Sequence, residues 1–275
     1  MSPPSNFKMT VELVDICFNF THSSFRKDEQ LVLQRALEAG VTTLMITGSS
    51  VAASRYGIEL AEHQPDHLYA TVGIHPHLAQ DWTSNSLAEL RDLAQHERVK
   101  AIGEAGLDYN RNYSTRQSQR YAFEQQIELA CDLGMPLFVH ERDAHKDLIT
   151  LLRQYRENLT DIVVHCFTGT VEQLEAYLEM DLHVGITGWI CDERRGHHLH
   201  DLIKRIPLSR LMIETDAPYL IPRDLKPQPK GRRNEPAYLP HILETVAKHL
   251  SLPPETVANS TTATARRFFR LNDLC

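Results

Sequence analysis

The sequence predicts a parallel α/β barrel of the (β/α)8 TIM-barrel class, and three observations carry the prediction. Short apolar runs rich in β-branched residues alternate with segments of helical period. There are eight such runs, and the 275 residues match the roughly 250 that eight βα units need. Near-continuous apolar strands joined by crossover helices are what a sheet covered on both faces requires. A doubly wound open sheet is the alternative reading of the same alternation.

The elements follow in order. Val11 to Ile16 reads as the first strand, and Lys27 to Ala39 as the first helix, its stripe Leu31, Leu33, Ala36 and Leu37 closed by Gly40. Further strands fall near Val41 to Thr47, Leu68 to Ile74, Val99 to Glu104, Pro136 to His140, Ile162 to His165, Leu182 to Thr187 and Leu211 to Asp216. Between them, Ser86 with Glu89, Ser114 with Gln117 and Thr170 with Gln173 have capping-box spacing, and Gly134 ends the helix after the fourth strand. No internal repeat or linker-like break interrupts the chain. Residues 1–275 therefore read as one barrel domain, with Pro222 to Pro236 a Pro-rich basic loop after the eighth strand.

Composition sets limits on function. With 42% hydrophobic and 24% charged residues the chain is a folded one, not a disordered or collagenous one. Its 29 basic against 36 acidic side chains give a net charge of −7, so no broad positive field exists and any phosphate binding must be local. Cys17, Cys131, Cys166, Cys191 and Cys275 contain no close pair, which fits neither a disulfide framework nor a zinc finger and points to a reducing compartment. Since no apolar run reaches about 18 residues, the expectation is a soluble cytoplasmic protein with no membrane partner; a monomer is a separate expectation.

In a barrel of this class the βα loops converge on the C-terminal ends of the strands, and the chemistry sits there. The strand-terminal residues are Asp15, Thr47, His75, Glu104, His140, His165, Thr187 and Asp216. Glu104 closes VKAIGE, His140 closes PLFVH, His165 closes DIVVH and Asp216 closes RLMIETD. A lone histidine at a strand end is more often a hydrogen-bonded core residue than a ligand. Two imidazoles and two carboxylates on convergent ends read instead as a mixed nitrogen and oxygen site for a divalent cation, which compensates carboxylates that would be costly to bury alone. Mg²⁺, Mn²⁺ and Zn²⁺ all suit such a donor set. His75, oriented by Pro76, reads either as a phosphate-contacting or acid/base group or as a hydrogen-bond donor to a carboxylate, and His77 as structural or solvent-facing.

The strings GEAGLDYNRNYS, HERDAH, HCFTGT, GITGWICDERRG, ETDAPYLIPRD and RRNEPAYLPHI resemble the TatD family of metal-dependent deoxyribonucleases across nearly the whole chain. The resemblance implies a (β/α)8 fold, divalent metal ions with Mg²⁺ foremost, and 3′ to 5′ exonuclease action on single-stranded DNA or RNA. Carried over residue by residue, Glu104, His140 and His165 match the metal ligands, and Asp216 matches the aspartate that binds metal and handles the attacking water. Most of the wider family has His-x-His at the end of the first strand; here Cys17, Phe18 and Asn19 stand there. That departure implies one firmly held ion and at most a weakly held second. Cys17 is either a thiolate ligand or a small buried hydrophobe.

The loop after the eighth strand carries Arg223, Lys226, Lys230, Arg232 and Arg233, and the fourth and seventh loops add Arg111, Arg194 and Arg195. Arg111, Arg194, Arg195, Arg232 and Arg233 are the candidate phosphate contacts, with Tyr109, Tyr113 and Trp189 as surfaces on which bases could stack. The competing reading is that the arginines pair with Asp192, Glu193 and Glu235 to fix loop shape. His197, His198 and His200 read as surface histidines. Two other functions use the same residues: a metal-dependent amide or ester hydrolase, such as an aminoacyl-tRNA deacylase, and a non-catalytic nucleic-acid-binding protein with a degraded first strand. Retention of the other four ligands argues against the last.

Overall fold

The computed structural model describes residues 12–229 and 231–271. Val11 at the head of the first strand, Lys230 in the basic loop and Cys275 lie outside the described residues. Along the chain run β1 (Leu13–Phe18), α1 (Glu29–Glu38), β2 (Val41–Ile46), α2 (Val51–His63), β3 (Leu68–Val72), α3 (Ser86–Leu93), β4 (Val99–Asp108), α4 (Arg116–Leu133) and β5 (Leu137–Arg142). They continue with α5 (His145–Tyr155), β6 (Ile162–Val164), α6 (Val171–Glu179), β7 (His183–Ile186), α7 (Leu199–Leu202), β8 (Leu211–Ile213), α8 (Leu239–Leu250) and α9 (Pro254–Phe268).

The eight strands are parallel and pair in chain order from β1 to β8. Closure decides between the barrel and the open sheet. Just beyond β8, Ala217 bridges Phe18 in parallel, with Asn19 N–H to Ala217 O at 2.9 Å and Asp216 N–H to Cys17 O at 3.0 Å. A ring formed in this way has little free edge left to protect. Within each strand, alternate residues separate into two apolar layers. Val14, Ile16, Met45, Ala101, Phe138, Val163 and Met212 pack together with Phe268, Phe269 and Leu271, so the end of α9 covers one layer. Leu13, Leu44, Ile102, Leu137, Val164 and Leu211 belong to the other layer, shared with the helices. Each fully buried Leu, Ile or Phe contributes about 1.5–3 kcal/mol.

Local signals were followed unevenly. Gly134 (φ 59°) ends α4 in the left-handed region, and Thr170 with Gln173 forms the predicted capping box on α6. Ser86 does not cap α3: its hydroxyl accepts from Thr83 N–H at 2.9 Å, in the turn before the helix. Ser114 does not cap α4 either, because it links His77 O (2.9 Å) to Gln80 N–H (3.1 Å) and leaves the cap to Thr115. In both cases a tertiary or turn partner competes for the hydroxyl. The crossover between β7 and β8 contains only the one-turn α7 and short 3₁₀ turns. Among the described residues, no helix is long and apolar enough to cross a membrane.

Strand limits matter for the site. β1 extends to Phe18, so Asp15 is mid-strand, fully buried, and receives Thr215 N–H at 2.9 Å and Cys17 N–H at 3.2 Å. It ties β1 to the segment after β8 and takes no part at the mouth. β4 runs four residues past its expected end, from Glu104 to Asp108.

Candidate metal centre

Glu104 is the hub. Its Oε1 lies 2.8 Å from His165 Nε2, 3.1 Å from His140 Nδ1 and 3.2 Å from His75 Nε2. The close approach of β4 to β5 that permits this depends on Gly103 (φ 138°) and Gly106 (φ 143°): a Cβ on Gly103 would meet Phe138 O at 2.2 Å, and one on Gly106 would meet His140 O at 2.0 Å. Two residues of alternation further along β4 from Gly106, Asp108 presents Oδ2 to His77 Nε2 at 2.6 Å and His140 Nε2 at 3.3 Å. Its Oδ1 accepts from Asn110 N–H (3.0 Å) and Arg111 N–H (2.8 Å).

Asp216, Cys17 and Glu214, with their partners, complete the floor. Asp216 accepts at Oδ1 from Asn19 Nδ2 at 2.9 Å, and Cys17 Sγ is 3.5 Å from the same oxygen and 3.3 Å from Thr47 Oγ1. Glu214, fully buried, accepts from Cys166 N–H with Oε1, while its Oε2 lies 3.4 Å from His165 Nδ1. His165 Nδ1 and Glu214 Oε2 are both buried with no hydrogen-bond partner among the described residues. Above this floor opens a cavity of about 910 Å³ bordered by Asn19, Arg111, Tyr113, Trp189, Tyr219 and Arg232.

The electrostatics follow from burial and pairing. Burial alone would raise the Glu104 carboxyl, but His75, His165 and His140 around it hold it well below the usual carboxylate range. Asp108 is likewise depressed despite its burial, by hydrogen bonds from His140, His77 and the Arg111 N–H. Against burial, His165 is pushed well up by Glu104 and Glu214, and His140 is raised by Asp108 and Glu104. Asp216 moves the other way, up to about 7, because it is buried and Glu104 and Glu214 add negative charge beyond what His165 and Asn19 offset. Burial drives His75 down to about 4, so at neutral pH it is an uncharged imidazole. Its tautomer is set as well. His75 Nδ1 accepts from His77 N–H at 3.0 Å, which leaves the proton on Nε2, facing Glu104.

The donor set fits a divalent cation. Ligand atoms of His75, Glu104 and His140 lie within 4.8 Å of one another, as do those of Cys17, His165 and Glu214. Imidazole and carboxylate donors, surplus buried acid and the two orphaned atoms of His165 and Glu214 all match what such an ion satisfies. In the first set His140 and Glu104 are the available donors, since the Nε2–H of His75 points its proton inward.

The sequence expected Glu104, His140, His165 and Asp216 in one site, and all four border the cavity. Arg111 and Arg232 reach its wall. The other expected substrate contacts are occupied elsewhere. Arg194 and Arg195 both hold Asp192, at 3.3 and 2.8 Å, and Arg195 covers the Trp189 ring at 4.2 Å. Arg233 makes a two-pronged pair with Asp28 (2.8 and 2.6 Å), reaches Glu235 at 2.7 Å and lies over Phe25. Tyr109 donates to Asp147 Oδ2 at 2.7 Å beneath Arg116, whereas Tyr113 is exposed at the cavity wall. From the sequence, neither Asp108 nor Glu214 is expected in the site and His77 reads as structural or solvent-facing, whereas His77 Nε2 meets Asp108 at the cavity wall. Asp108 could have been found from the two-residue alternation that places it on the face of Glu104; nothing local distinguishes Glu214 from Asp216 in ETD.

The profile of the TatD related DNase family matches residues 14–270 of this chain. The chain is 48% identical over 259 residues to a protein of Erwinia billingiae (strain Eb661) named 3′-5′ ssDNA/RNA exonuclease TatD, covering 94% of this chain and 99% of that one. It is equally 48% identical over 259 residues to a protein of the same name from Pantoea vagans (strain C9-1), covering 94% of this chain and all of that one. Among solved structures, a TatD family hydrolase from Entamoeba histolytica superposes with a TM-score of 0.86 at 26% identity, over 95% and 99% of the two chains. The TatD homologue YJJV from Escherichia coli K12 gives 0.85 at 26% identity, over 94% and 98%.

Proposed function

The chain belongs to the TatD related DNase family, and from that premise we propose that it is a metal-dependent exonuclease removing nucleotides from the 3′ end of single-stranded DNA or RNA. The observation that carries the reading is Glu104 held between His140 and His165 at the floor of an open cavity whose wall bears Arg111 and Arg232. A divalent ion, Mg²⁺ in our reading, held by Glu104, His140 and His165 beside Asp216 would supply the Lewis acid that polarises a phosphodiester and acidifies water.

The chain's own residues do the rest. Asp216, oriented by Asn19 and facing the cavity, accepts the proton of the attacking water. His75, uncharged, donates Nε2–H to Glu104 and acts through it as a positioning residue, in place of the acid/base role weighed from the sequence. Asp108 orients His140 from its far nitrogen. Arg111 and Arg232 neutralise substrate phosphates at the wall, and Tyr113 offers a ring for a base. The free thiols of Cys17, Cys131, Cys166 and Cys191 suit a reducing, cytoplasmic setting.

The test is an end-labelled single strand, the same strand blocked at its 3′ end, and a blunt duplex, each with chelator and with a series of metal ions. The expected result is a metal-dependent ladder shortening from the free 3′ end. The duplex should be slower by about tenfold for each base pair that must open, at about 1.4 kcal/mol per step. Equal rates on all three substrates, or turnover of an amide or aminoacyl ester with the oligonucleotide left intact, would defeat the proposal.

A further inference from the structure

Away from the cavity floor, three ligand-type side chains from distant parts of the sequence meet. Cys191 ends the 3₁₀ turn after β7, Asp224 lies in the loop after β8, and His241 lies in the first turn of α8. One ligand atom of each lies within 4.8 Å of the other two. His241 Nε2 is 2.7 Å from Asp224 Oδ1, and Cys191 Sγ is 3.4 Å from Thr245 Oγ1, one turn further along α8. Cys191 is only 4% exposed, whereas the side chains of His241 and Asp224 are 27% and 47% exposed. The thiol is thus buried, while its two companion groups are partly open to solvent. Neighbouring guanidiniums are already engaged: Arg194 and Arg195 hold Asp192, and Arg223 reaches Asp192 and Glu193.

We infer that Cys191, Asp224 and His241 form a Zn²⁺ site separate from the catalytic one. A sulfur, an imidazole nitrogen and a carboxylate oxygen are the donor types Zn²⁺ takes in tetrahedral sites, with water as the fourth ligand. A thiolate selects Zn²⁺ over Mg²⁺, the ion assigned to the cavity, so the two sites differ in chemistry. On binding, the Cys191 S–H bond breaks, the S–Zn bond forms and the proton passes to solvent. The ion would clip the turn after β7 and the basic loop after β8 onto α8. That loop also carries Arg232, so the clip holds a wall of the cavity in place.

The experiment titrates the metal-stripped full-length chain with Zn²⁺ and with Co²⁺, whose thiolate complexes give a sulfur-to-cobalt charge-transfer band. The titration is run in the Cys17→Ser, Cys166→Ser chain, which removes the thiols near the cavity; the band is expected there, and adding Cys191→Ser should abolish it. His241→Gln and Asp224→Asn should each weaken Co²⁺ binding at this band at least about tenfold, the least that disturbing a metal's supporting shell costs. Zn²⁺ should slow amide exchange in the loop after β8 in the natural chain and not in His241→Gln. No band in the chain lacking the Cys17 and Cys166 thiols, a band there that survives Cys191→Ser, or unchanged Co²⁺ affinity in His241→Gln would each overturn the inference. Should Cys191→Ser fail to fold, the partly exposed His241 and Asp224 variants decide the matter.

Discussion

Arg232 and Arg233 are neighbours in sequence, yet replacing them one at a time by alanine should produce opposite phenotypes. Arg233 has a quarter of its side chain exposed and holds Asp28 through two hydrogen bonds at 2.8 and 2.6 Å, Glu235 at 2.7 Å and Ser24 O at 2.6 Å. Fully exposed pairs contribute about 0–1 kcal/mol, and breaking a fully buried one costs about 3–5 kcal/mol. Arg35 remains to compensate Glu235 at 2.8 Å and Asp28 at 3.4 Å, which places Arg233→Ala between the limits, at about 2 kcal/mol. For a chain of this size that is a fall in Tm of about 4–8 °C.

The loss should also depend on pH. Hydrogen bonding from Arg233, against a smaller effect of burial, holds Asp28 below its ordinary 3.8. A depressed carboxyl contributes stability that is complete above the unfolded value and disappears as pH falls through the folded one. The difference in Tm between the natural chain and Arg233→Ala should therefore be full at pH 7 and shrink below about pH 4. Arg232→Ala should leave Tm nearly unchanged, weaken binding of a single strand, and reduce the salt slope of its log affinity by about 0.7. Calorimetry and a salt titration of oligonucleotide binding check both. A lower salt slope with unchanged Tm in Arg233→Ala would refute the reasoning, as would a large loss of Tm in Arg232→Ala.

Other outcomes follow from the site and its frame. Glu104→Gln and Asp216→Asn should each lower kcat at least about a hundredfold with an unchanged circular dichroism spectrum, since losing a ligand or base exceeds the 10–100-fold cost of disturbing a metal's supporting shell; activity within a few-fold of the natural chain would remove that residue from the reaction. Burial pushes Asp15 up to about 7, over hydrogen bonds from Thr215 and Cys17, so the folded state holds its proton more tightly and stability falls as pH rises from about 4 to 7. Asp15→Asn cannot ionise, and urea midpoints across that range should fall less steeply in the variant, by on the order of 4 kcal/mol at the limit; parallel pH profiles would contradict this. Tyr113→Ala should weaken single-strand affinity by about 1–3 kcal/mol, while Tyr109→Phe, which loses only the bond to Asp147, should leave it unchanged.

Much of this molecule is determined by the order of its residues alone. Eight β-branched runs separated by helical periods admit few arrangements, and polar groups placed directly after such runs, as Glu104, His140 and His165 are, must collect at one mouth once the strands lie parallel. Alternation along β4 even carries the signal for Asp108, because residues an even number apart share a face. What the tertiary structure decided are the partners. Asp15 and Asp216 both read from the sequence as acids at strand ends, yet one is sealed mid-strand against Thr215 and the other faces the cavity, and which is which depends on how β8 closes onto β1. Arg232 and Arg233 differ only in that α1 brings Asp28 and Arg35 beneath one of them. Periodicity is a local property of the chain, whereas the environment of a charge is set by groups some two hundred residues away in sequence, and only folding brings them within hydrogen-bonding distance.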